Sequence, residues 1–224
     1  MKLEGKIIDF LGDSITEGCG VKDIAANRYD NVLKAECGLA ATYNYGIGGT
    51  RLAHQSVPSG KPRFDLFFCG RAFDLNRSAD IIVVYGGVND YIHGDAPIGN
   101  KNDSTPATFT GAVRFLMNLL KTEYRSKTVV FMTPARCCFH EAKSPYPSSN
   151  PIKRSDAMPL YGYVEIIKEA GEEFGIPVLD LYNGLGIDPN VEEDRVKYTT
   201  DGLHFNDDGH HIIAARLKEF LESL

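Results

Sequence analysis

The sequence predicts an open α/β sandwich built on a parallel sheet, and two patterns carry that reading. Apolar runs bounded by Gly or Asp recur as KIIDFL, TYNYG, DIIVVYG, TVVFMT and IPVLDL. Runs without polar alternation suit strands covered on both faces, as in a parallel sheet. Between them lie stretches of helical period. Phe109, Val113, Leu116, Met117 and Leu120 share one face, and Leu160, Tyr163, Val164, Ile167 and Phe174 share another. Ile213, Leu217, Phe220 and Leu221 form a third, after a cap at Asn206 or Asp207. Strand and helix in alternation imply right-handed crossovers.

Taken in chain order, the first three strands are each followed by a polar, glycine-rich end. KIIDFL runs into Gly12-Asp13-Ser14, and TYNYG into Ile47-Gly48-Gly49-Thr50. DIIVVYG leads to Gly87-Val88-Asn89-Asp90. Asp201-Gly202-Leu203-His204 precedes the last helix. Three stretches interrupt the alternation: 52–79 has no clear period, and 91–106 and 135–156 are rich in Gly, Pro, Ser and Asn. Loops of that length inside a compact domain usually cover a site.

At 224 residues the chain is long enough for one well-buried core and short for two, so one domain over 1–224 is expected. Its net charge of -6, with no basic block, argues against nucleic acid or an anionic membrane as the main partner. No stretch approaches the roughly 20 apolar residues of a membrane helix. MKLEGKIIDFLGDS has no signal-peptide apolar region, which predicts a cytoplasmic location. The five cysteines are odd in number and contain no CxxC pair, against both a disulfide framework and a zinc site.

Ligands of such folds sit beyond the carboxyl ends of the strands. The residues there supply each part that acyl transfer requires. A serine hydroxyl attacks a carbonyl when a base takes its proton, and a neutral histidine suits that task. The ring needs an acceptor on its other nitrogen, which Asp201 can supply three residues before His204. The backbone N–H groups of Ser14 and Gly49 and the side-chain amide of Asn89 are candidate oxyanion donors, with Gly48 a near rival to Gly49. Other chemistries lack their motifs. No serine has glycine at both positions of a Gly-x-Ser-x-Gly elbow, and Gly46-Ile47-Gly48-Gly49-Thr50-Arg51 fails the last glycine of a dinucleotide fingerprint. Asp201 and His204 have no evident third partner for a metal, so neither metal nor organic cofactor is expected.

The blocks GDSITEG, NYGIGGT, GGVND and DGLHFNDDGH resemble, in order and spacing, the four signature blocks of the SGNH (GDSL-like) hydrolases, from residue 12 to about residue 211. The resemblance implies a flavodoxin-like α/β/α sandwich with a central five-stranded parallel sheet of order 2-1-3-4-5. It implies a serine carboxylic-ester hydrolase with Ser14 as nucleophile, Asp201 and His204 completing the triad, and Ser14, Gly49 and Asn89 as the oxyanion hole. Isoleucine stands where the family's first block usually has leucine after the serine. Among acyl donors, the polar loops favour a small-molecule ester, an acetylated carbohydrate before a lipid, although the chain has no tryptophan to stack on a sugar. Arg51, Tyr91, His93, Arg136 and Phe139 are the candidate substrate contacts. Asp13 and Asp90 are expected to shape their turns, and His210 and His211 to face solvent or pack on a loop.

Overall fold

The computed structural model describes residues 1–58, 60–138, 156 and 158–224. Strands β1 (Ile7–Gly12), β2 (Ala41–Gly46), β3 (Ile81–Tyr85), β4 (Thr128–Met132) and β5 (Val178–Leu179) form one parallel sheet in the order 2-1-3-4-5. The helices in chain order are α1 (Ser14–Glu17), α2 (Ile24–Asn27), α3 (Tyr29–Cys37), α4 (Phe68–Arg71) and α5 (Val88–Ile92). They continue with α6 (Phe109–Glu123), α7 (Leu160–Phe174), α8 (Leu181–Gly184), α9 (Glu192–Tyr198) and α10 (Asp207–Ser223). This is the flanked five-stranded sheet that the motif resemblance implied.

Strand β3 shows why the apolar runs lack polar alternation. Successive side chains of a strand point to opposite faces. Ile82 and Val84 enter the core beneath α6 and α7, whereas Ile81, Val83 and Tyr85 enter the core beneath α3 and α10. Both faces are covered, so both sets must be apolar. On α6 the predicted stripe of Phe109, Val113, Leu116, Met117 and Leu120 is buried, each side chain contributing roughly 1.5–3 kcal/mol against exposure. Thr108 starts that helix by accepting the Gly111 N–H on its hydroxyl at 3.0 Å. Asn206, not Asp207, caps α10, accepting the Gly209 N–H at 3.1 Å.

Register places the strand ends together. Gly12 lies opposite Gly46 on β2 and Tyr85 on β3, so the three loops that follow leave the sheet at one level. Gly46 also lets α1 sit against the strand, since a Cβ there would lie 2.2 Å from the Glu17 nitrogen. Among the described residues, 52–79 contain only α4 and short turns such as Pro62–Asp65. Side-chain to backbone bonds hold parts of this stretch instead of an apolar face, as where Asp95 accepts the N–H groups of Ser56 and Val57. Among the described residues no helix is long and apolar enough to cross a membrane.

Candidate active site

Strand β1 delivers Ser14 to the first position of α1, where a backbone N–H has no acceptor inside the helix. Asp13 caps that helix, its carboxylate accepting the Ile15 N–H at 3.0 Å. Asp13 is buried, and burial pushes its carboxyl up to about 6 against that hydrogen bond and the charge of Arg71. Ser14 itself is buried, at 7% exposure.

The turn before α10 brings the histidine to it. One oxygen of Asp201 accepts the N–H groups of Leu203 at 2.9 Å and His204 at 2.7 Å, which fixes the turn. Its other oxygen lies 2.6 Å from His204 Nδ1. A carboxylate can only accept, so Nδ1 carries the proton and Nε2 keeps its lone pair. Nε2 lies 2.9 Å from Ser14 Oγ and accepts from the hydroxyl. Burial raises the Asp201 carboxyl, but the side-chain and backbone bonds from His204 outweigh it and hold the group below its ordinary value.

On the far side of Ser14 the loop after β2 turns at Gly49, whose φ of 76° favours glycine. The Gly48 N–H is bonded to a Glu17 oxygen at 2.7 Å, and Glu17 is also ion-paired with Arg63. Among the described residues no protein acceptor takes the Gly49 N–H. Of the two rival glycines, Gly48 therefore has its N–H engaged and Gly49 does not, among the described residues. Asn89, on α5, gives one amide N–H to the Thr50 carbonyl at 3.0 Å, and its amide oxygen meets His93 Nε2 at 3.1 Å. Asp90 accepts the N–H groups of Leu52 and Ala53 on its two oxygens, tying the two loops together.

The five candidate substrate contacts divide. Arg51 is only 2% exposed, its guanidinium bonded to His93, to the Phe64 carbonyl and to Asp65. Burial lowers its pKa against the nearby charges of Asp90, Asp65 and Asp95. His93 is bound between Arg51 and Asn89. Arg51 is thus turned inward, and the half-buried His93 is held between it and Asn89. Tyr91 packs edge-on against Tyr163 of α7 at 5.8 Å. Arg136 lies over the Tyr182 ring, donates to the Tyr182 carbonyl and pairs with Asp188. It also lines a water-sized cavity with Asp13, Tyr85 and Leu203. Phe139, and most of the stretch 135–156, lie outside the described residues.

Three residues of this region were passed over in the sequence. Glu17 sits inside the GDSITEG block, so its place beside the nucleophile was the signal. Arg71 donates to the carbonyls of Gly12, Tyr45 and Leu66 and to the Thr50 hydroxyl, fastening the ends of β1 and β2. Burial lowers its pKa to about 10, opposed by Asp13, Asp74 and Glu17. Phe64 lies against Gly49 so closely that a Cβ there would meet the ring at 2.4 Å. Both stand in the stretch without period, where nothing in the pattern marks them. Among the described residues no group of three His, Cys, Asp or Glu side chains could hold a metal ion.

A profile of the GDSL-like lipase/acylhydrolase family matches residues 10–212. The chain belongs to that family. A solved structure of a protein from Lactobacillus plantarum is similar at 27% identity and a TM-score of 0.82, covering 98% of each chain. A structure named a putative GDSL-like lipase, from Bacteroides uniformis, is similar in fold at 20% identity and a TM-score of 0.67, covering 98% of this chain and 96% of that one. So is a structure named as the acetyl xylan esterase AlAXEase, at 19% identity and a TM-score of 0.61, covering 95% and 98%. No curated protein matches the chain.

Proposed function

We propose that this chain is a serine carboxylic-ester hydrolase that removes short acyl groups, acetyl foremost, from carbohydrate-type alcohols. The observation that carries the chemistry is His204 bridging Ser14 Oγ at 2.9 Å and Asp201 at 2.6 Å. As the Ser14 oxygen bonds to the acyl carbon, His204 Nε2 takes the hydroxyl proton, and the carbonyl oxygen becomes an oxyanion. The N–H groups of Ser14 and Gly49 and the Asn89 amide donate to it. Collapse breaks the bond to the alcohol, which leaves with the proton from Nε2. Water then repeats the sequence on the acyl-enzyme, releasing the acid and restoring Ser14. Asp201 holds the ring and stabilises its charged form throughout. No step calls for a metal or an organic cofactor.

The short acyl group is supported by the Phe64 ring against Gly49, which crowds the space beside one oxyanion donor. Likeness in fold to a protein named an acetyl xylan esterase leans the same way. The test has two parts. A fluorophosphonate should label Ser14 in the folded protein, and no labelling would leave only a binding module. Initial rates on aryl esters from acetyl to decanoyl should fall with chain length, followed by activity on acetylated sugars. A preference for long chains would overturn the carbohydrate reading in favour of a lysophospholipase, thioesterase or arylesterase.

A further inference from the structure

We propose that Arg51 and His93 are positioning residues that lock the Asn89 amide with its nitrogen, not its oxygen, toward the substrate oxyanion. The inference rests on the hydrolase reading above and adds to it. An asparagine amide is nearly symmetric in shape, so packing alone does not decide which end faces a ligand. At position 89 the choice matters. The flipped amide would aim a lone pair at a developing negative charge.

Three hydrogen bonds decide it, and their directions follow from donor chemistry. A guanidinium has no acceptor, so Arg51 Nη1, 2.8 Å from His93 Nδ1, must donate. Nδ1 therefore carries the lone pair, and the ring proton sits on Nε2. Nε2 then donates to Asn89 Oδ1 at 3.1 Å. On its other end the amide nitrogen donates to the Thr50 carbonyl, which can only accept, at 3.0 Å. A flip would set N–H against N–H at His93 and oxygen against oxygen at Thr50. The second N–H of the amide remains for the oxyanion.

The rest of the region holds this chain of bonds still. His93 follows Asn89 by four residues across α5, which puts both on one face of the turn. The other guanidinium nitrogen of Arg51 is anchored at the Phe64 carbonyl, 2.7 Å away, and at Asp65, 3.0 Å away. The Phe64 ring lies 5.9 Å from the His93 ring, tilted 30°. Asp90 binds the two residues after Arg51 from the residue after Asn89. Arg51 thus acts on the oxyanion through two other side chains and does not touch the substrate.

The test uses the full chain and p-nitrophenyl acetate, with kcat and KM read separately and thermal unfolding as a check on folding. His93→Phe keeps the stack with Phe64 but has no N–H to give. It should lower kcat by about 10- to 100-fold, with KM changed by less than about twofold. His93→Met also lacks the donor and should match it. His93→Gln offers an oxygen for Arg51 and an N–H for Asn89, and should recover kcat to within about threefold of the parent. In an Asn89→Ala background, His93→Phe should add less than about twofold, because the residue through which it acts is gone. Multiplicative losses in the double variant, or a glutamine variant no better than the phenylalanine one, would overturn the proposal alone. Hydrolysis that survives Ser14→Ala would overturn the hydrolase reading beneath it.

Discussion

Two histidines flank the Ser14 region, and they are wired with opposite charges. His204 places Nδ1 against the Asp201 carboxylate and Nε2 against the Ser14 hydroxyl. His93 places Nδ1 against the Arg51 guanidinium and Nε2 against the Asn89 amide oxygen. The anion forces a proton onto Nδ1 and leaves Nε2 a base. The cation removes the proton from Nδ1 and makes Nε2 a donor. In the proposed reaction the same ring is a proton acceptor on one side of the site and a fixed strut on the other. What a histidine does here is decided one bond away from where it acts.

The sharpest way to break this contrast is to make the same substitution at both rings. His204→Gln should lower kcat by about 10⁴- to 10⁶-fold, since an amide cannot take a proton at neutral pH. At position 93 the same change should be almost silent. Equal losses at the two sites, measured as kcat on one aryl acetate, would mean that His93 handles protons too.

Asp201→Asn comes next and is the more instructive. The asparagine oxygen can still accept the Leu203 and His204 N–H groups that the carboxylate now holds, so the turn should persist. Its amino group, however, would donate to Nδ1 and push the ring proton onto Nε2. His204 would then be wired like His93. The expected fall in kcat is about 10⁴-fold, with the fold intact by circular dichroism. Asn89→Ala should cost less, about 10²- to 10³-fold in kcat, because it removes one of several donors and leaves the base untouched.

The two sides of the site were not equally legible in the sequence. Asp201 and His204 lie three residues apart in one block, and Ser14 follows a strand, so local spacing exposed the first side. Asn89 stands in a block of its own and was also visible. Its support was not. Arg51, His93 and Phe64 are brought together by a loop without period, and their pairing depends on the register of β1, β2 and β3. Arg51 and His93 read as polar loop residues near a site, hence as substrate contacts, because a sequence does not show that a guanidinium is buried. The fold was more open to reading. Runs such as DIIVVYG announce strands covered on both faces, while α3 went unremarked because its buried face includes Asp30, paired with Arg28. The strand order came from the motif resemblance and not from the runs.

A third histidine sharpens the comparison by having, among the described residues, no charged partner on its ring nitrogens. His210 is fully buried, stacked on Tyr29 with ring centroids 5.7 Å apart, and its Nδ1 accepts the Tyr29 N–H at 3.2 Å. It neither faces solvent nor packs on a loop, because the first turn of α10 lies against the start of α3. Burial, aided by the Arg28 charge and opposed by Asp207, lowers its pKa to about 3. Below its ordinary value of 6.5 the unfolded chain takes up a proton that the folded chain refuses. Stability should therefore fall as pH drops from about 6.5 toward about 3, by up to about 1.4 kcal/mol per pH unit. Asp9 and Asp13, both raised to about 6, work in the opposite sense, since the folded chain holds their protons between 3.8 and about 6. A wild-type profile mixes the two, but a difference between variants does not. His210→Asn keeps an acceptor for Tyr29 and cannot charge. It should cost about 1–3 kcal/mol at pH 7 through lost packing, and leave kcat within about twofold. Urea unfolding from pH 7 to pH 4.5 should show the gap to wild type closing as the pH falls. Parallel curves would mean that His210 takes up its proton in the folded chain as well, and that burial does not set its charge.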